Sequence, residues 1–121
     1  MARYTATLRL PVDAGQAGPH GVSAALSQAL VNIGLELEQA THLQVAAAAT
    51  AGYPWPLGFR LLISWMAALP SAQAIELGVE ILSREPMAMG GPSTRAAFDQ
   101  VLRALQQQLS GLEVIHTSRE V

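Results

Sequence analysis

His20, His42 and His116 are the only imidazoles in this 121-residue chain, which contains no cysteine. Apart from Asp13 and Asp99, they and Glu36, Glu38, Glu76 and Glu80 are the side chains from which acid–base chemistry or a metal site would be built. His42, Glu76 and Glu80 form the best cluster, because the alternation described below puts all three on one face of a sheet. An imidazole beside a carboxylate can pass a proton near neutral pH. On an open sheet such a pair is more often a solvated contact, and that ordinary reading is favoured. A metal needs three or four convergent ligands, and no His-x-His or His-Glu-x-x-His spacing occurs. No metal and no cofactor are expected.

Two other stretches carry binding chemistry. Residues 89–95 read MGGPSTR, and at a helix amino terminus the amides of Gly90, Gly91 and Ser93, beside Arg95, could hold an anion. The stretch lacks the lysine and spacing of a phosphate-binding loop, and Gly-Gly-Pro-Ser is also an ordinary way to turn a chain and cap a helix, the favoured reading. Tyr53-Pro54-Trp55-Pro56 presents two aromatic rings on a loop stiffened by prolines. Such rings are low-entropy anchors for a protein partner; the alternative is that Trp55 folds back over the end of the core.

Half of the residues are apolar and only 13% are charged, against about 25% in an ordinary soluble domain. So sparse a charge favours burial of surface, and a homo-oligomer, a dimer foremost, is expected, with another protein as the alternative partner. Seven arginines, no lysine and nine acidic residues leave no basic stripe to neutralise phosphates, so nucleic acid is not an expected partner. The absence of cysteine removes a disulfide framework, a thiolate metal site and a cysteine nucleophile. The longest apolar run, 57–69, is interrupted by Arg60 and Ser64 and falls short of the ~20 residues that span a bilayer. The first residues, MARYTATLRLP, lack a signal-peptide pattern. No membrane association and a cytoplasmic location are expected.

The elements that must position these residues follow from periodicity. Tyr4, Ala6, Leu8, Leu10 and Val12 alternate with Thr5, Thr7, Arg9 and Pro11, which predicts a strand ending near Pro11. DAGQAGPHG breaks either period and reads as loop. From Val22, a helical period through Ala25, Leu26, Ala29, Leu30 and Ile33 predicts a helix stopped by Gly34. Residues 35–50 alternate again and read as one long strand with a bulge near Gln39 to Thr41, although four consecutive alanines also suit a helix. Residues 57–69 and 75–84 read as two strands joined by a Pro-Ser turn. Phe98, Val101, Leu102, Leu105 and Leu109 stripe a helix that Ser93 or Thr94 caps and Gly111 ends. The tail from Leu112 either adds a short edge strand or frays.

The order β-α-β-β-β-α implies one α+β domain over 1–121. Its form would be a two-layer sandwich, a mostly antiparallel four-stranded sheet, with a short fifth strand as an option, carrying both helices on one face. The other face would show Arg60, Leu62, Ser64, Met66, Glu76, Glu80 and Leu82. Leu62, Met66 and Leu82 are too apolar for a fully solvated face, and with Tyr53 and Trp55 they make the expected interface. The expected function is non-enzymatic assembly through the sheet face and edge strands. The alternative is a ligand-binding protein or enzyme with a pocket between sheet and helices, using His42 with Glu76 or Glu80.

Overall fold

A computed structural model describes residues 2–11, 18–49, 55–66, 74–85, 92–109 and 111–120. In chain order these form β1 (Ala2–Pro11), α1 (Gly18–Asn32), β2 (Glu36–Ala40), β3 (Gln44–Ala48), β4 (Arg60–Trp65), β5 (Ala74–Ser83), α2 (Pro92–Gln108) and β6 (Glu113–Glu120). The strands make one open antiparallel sheet in the order β2-β3-β4-β5-β1-β6. Because β5 and β6 both run antiparallel to β1, β5-α2-β6 is a split β-α-β unit with β1 between its strands.

The α+β class follows the sequence pattern, but the sheet has six strands rather than four. Residues 35–50 are a hairpin instead of one long strand. The Thr41 amide donates to the Gln44 carbonyl at 2.7 Å and the Thr41 hydroxyl accepts from the Leu43 amide at 3.2 Å, so a Thr-built turn reverses the chain there. Alternation is silent about where a strand reverses, which is why the turn escaped a reading by period. A register shift does occur, between Leu37 and Gln39. The tail forms the eight-residue β6 beside β1, with Ile115 as the extra residue of a bulge. Positions 113–117 are all exposed, so no buried face marks them as a strand in the sequence.

The buried parity is the expected one. Tyr4, Leu8, Leu10, Leu61, Ile63, Leu77 and Ile81 join Leu26, Leu30, Phe98, Val101 and Leu105 in one core. The Tyr4 and Phe98 rings stack at 5.3 Å, fastening α2 over β1. Helix α1 touches α2, β2 and β3. At the edge of the sheet β2 is exposed along its whole length, Leu37 included.

Helix α1 begins at Gly18, ahead of Val22. Pro19 is tolerated in the first turn because an amide there has no partner within the helix. The helix ends as expected at Gly34, whose φ is 94°. The Leu35 amide donates to the Leu30 carbonyl at 3.1 Å and the Gly34 amide to Val31 at 3.0 Å. Leu30 and Leu35 are both buried, completing a Schellman cap.

Candidate functional site

On the face away from the helices, the register places Gln39, Ala46, Leu62, Glu80 and Thr5 in one row across five strands. Ala48, Arg60, Leu82 and Arg3 lie in the next row, and Gln44, Ser64, Gly78 and Thr7 in the one on the other side. Among the described residues three ion pairs cross this surface, two between the neighbours β1 and β5 and one from β4 over β3 to β2. Arg3 reaches Glu80 at 2.6 Å, Arg60 reaches Glu38 at 2.7 Å, and Arg9 stands 3.6 Å from Glu76. Glu38 is the extra residue of the β2 bulge, and the bulge turns its carboxylate onto the same face as Arg60. The Glu38 hydrogen bond and charge hold the Arg60 guanidinium above its ordinary pKa. Between these pairs lies a shallow groove of about 250 Å³ lined by Ala46, Leu62 and Leu82 among Glu38, Arg60 and Glu80. Leu62 and Leu82 are half-buried there, and Met66, just past β4, is 84% exposed.

The structure does not bring His42 together with Glu76 and Glu80. Both glutamates pair with arginines of β1, whereas His42 is exposed in the turn between β2 and β3, with β4 standing between β3 and β5. Glu76 and Glu80 also face away from the helices, so they line no cavity between sheet and helices. His20 falls in the first turn of α1, and His116 is exposed on β6. The bulge at Ile115 sets Glu113 opposite Arg9 and His116 opposite Thr7, so both fall on the open face of this edge strand, but two such groups fall short of the three or four ligands a metal needs. Among the described residues no group of three His, Asp or Glu side chains could hold a metal.

The proposed anion cradle already holds a carboxylate. Glu85 accepts from the Ser93 amide at 3.0 Å, the Thr94 amide at 2.8 Å and the Thr94 hydroxyl at 2.7 Å. The Thr94 hydroxyl also lies 2.6 Å from that of Ser83. Ser93 and Thr94 are thus donors in the first turn of α2 rather than its caps, and the acceptor comes from the end of β5. Burial pushes the Glu85 carboxyl up, but the bonds from Thr94 and Ser93 outweigh it and hold the carboxyl below its ordinary range. No sequence spacing announces this partner, since a capping box looks forward along the helix and not back across a loop. Arg95 is exposed on α2. Gly90, Gly91 and Tyr53 lie outside the described residues.

Trp55 is 7% exposed, with its ring 4.9 Å from that of Phe59. It covers the end of the core, as in the second of the two readings its sequence left open. A second groove of about 440 Å³ runs between Trp55, Pro56 and the α2 residues Pro92, Ser93, Ala97 and Gln100, and no charged side chain among the described residues lines it. No described helix is long and apolar enough to cross a membrane. Compared with protein-family models and with curated proteins, the chain matches none.

Proposed function

We propose that this chain is a non-enzymatic assembly protein that acts by burying its open sheet face against another protein surface, with edge strands β2 and β6 contributing at the margin. The observation that carries this reading is the groove on the central strands, where Leu62, Leu82 and Ala46 lie between ion pairs already formed within the chain. Charges that are paired before docking leave no orphan when water is excluded, which removes the main penalty for covering them. The apolar residues between them supply the gain. No observation favours the acid–base alternative, because its three residues stand apart.

The test is the native size of the tagged chain in extracts of its own host. A complex larger than the monomer is expected for the unaltered chain, and a fall to monomer size for Leu62→Arg combined with Leu82→Arg. Melting of the purified variant checks that it stays folded. A complex of unchanged size in a folded variant would overturn the proposal.

A further inference from the structure

We propose that the groove between Trp55 and α2 binds a small uncharged ring compound that carries an amide-type edge, a hydrogen-bond donor beside an acceptor. Size is the first observation. At about 440 Å³ the groove falls within the range of small-molecule sites, about 300–1,000 Å³. Its α2 side runs from Pro92 to Gln100, about 12 Å along the helix axis, a span that suits two or three fused rings. Ala96 and Ala97 in the middle of that span end at Cβ, which leaves the space between the helix and Trp55 with Pro56 open. This groove lies on the helix layer, away from the open sheet face, and neither surface needs the other.

The wall sets the chemistry of the occupant. Among the described residues no charged side chain lines the groove, so an ion entering it would lose water without meeting a counter-charge. An uncharged, largely apolar body gains from the same burial. Three polar side chains belong to the lining. The Trp55 indole nitrogen lies by Gly34, and Ser93 is engaged with Glu85. Gln100 remains: it is half-buried, and among the described residues nothing bonds its amide. A carboxamide offers donors and an acceptor in one plane. It closes two parallel bonds with any group that sets a donor beside an acceptor, as glutamine does with adenine. Gln100 thereby selects an amide-type edge on an otherwise apolar ring.

The probe is carbostyril, an uncharged two-ring lactam, titrated into the isotope-labelled full chain and followed by NMR. Saturable shifts are expected at the Gln100 side-chain amide and the Trp55 indole. N-methyl carbostyril, which lacks the donor, should bind about fivefold more weakly. Gln100→Leu should bring the two compounds to equal affinity, a change that a merely structural glutamine would not produce. Ala96→Phe, at an exposed position, should fill the groove and abolish the shifts with the melting temperature unchanged. Should Ala96→Phe fail to fold, Gln100→Leu still decides. No saturable shift at either resonance, or an unchanged preference for the lactam in folded Gln100→Leu, would overturn the proposal. So would silence toward the probe with the same resonances broadened by a protein fraction of host extract, which would give the groove to a macromolecule.

Discussion

The Glu85 carboxylate, bonded to two amides and a hydroxyl at the start of α2, does for this helix what an N-cap residue does from within the chain's next turn. Glu85→Ala should therefore destabilise the fold by about 1 kcal/mol, read by urea unfolding at neutral pH. The sign of the pH dependence follows from the lowered carboxyl. The stabilisation is complete above the pKa of the unfolded chain and is lost as pH falls through the lower folded value. Unfolding curves of the parent and of Glu85→Ala should accordingly converge in acid, and a gap that persisted there would count against the assignment. Trp55 makes a second case at this scale. Its burial against Phe59 predicts a loss of about 3–5 kcal/mol for Trp55→Ala, visible as a fall in the urea midpoint. The Trp55 cover was one of two readings open to an aromatic on a Pro-rich loop, whereas the Glu85 role was not legible, because an acid far back in the chain carries no mark of what it will touch.

Among the elements, the end of α1 was legible and the second hairpin was not. Gly34 stops the helix through bonds to residues three and five positions back, chemistry contained in a few consecutive residues. Gly78 resembles it only in type. Gly34→Ala forces a side chain into a positive φ of 94° and should cost about 1–2 kcal/mol. Gly78→Ala adds a Cβ where there is room, and it should stabilise the chain by about 0.5–1 kcal/mol. Opposite signs for these two substitutions, measured side by side in urea, test whether Gly78 has any internal role. The turn at Thr41 and the strand β6 stayed hidden because β2 and positions 113–117 are exposed throughout, and a strand without a buried face has no apolar period to show.

At the scale of the whole molecule, assembly through the sheet face makes stability depend on the partner. The melting temperature of the unaltered chain should be higher in extracts of its host than after purification, and Leu62→Arg combined with Leu82→Arg should remove the difference; equal melting of the unaltered chain in both settings would argue against docking. Sequence by itself determined the α+β class, the buried parity of β1, β4 and β5, the helix stop at Gly34 and the shortage of charge. Each of these resides in local period or in composition, and a strand or helix writes its buried side into consecutive residues. Tertiary structure alone decided that Glu76 and Glu80 answer to arginines of β1 and not to His42, and that Glu85 fills the cradle at the start of α2. It also decided that Leu62, Gly78 and Leu82 share one uncovered surface. Those outcomes depend on strand order and register, which choose neighbours for residues far apart in the chain, and alternation along one strand holds no information about which strand lies beside it.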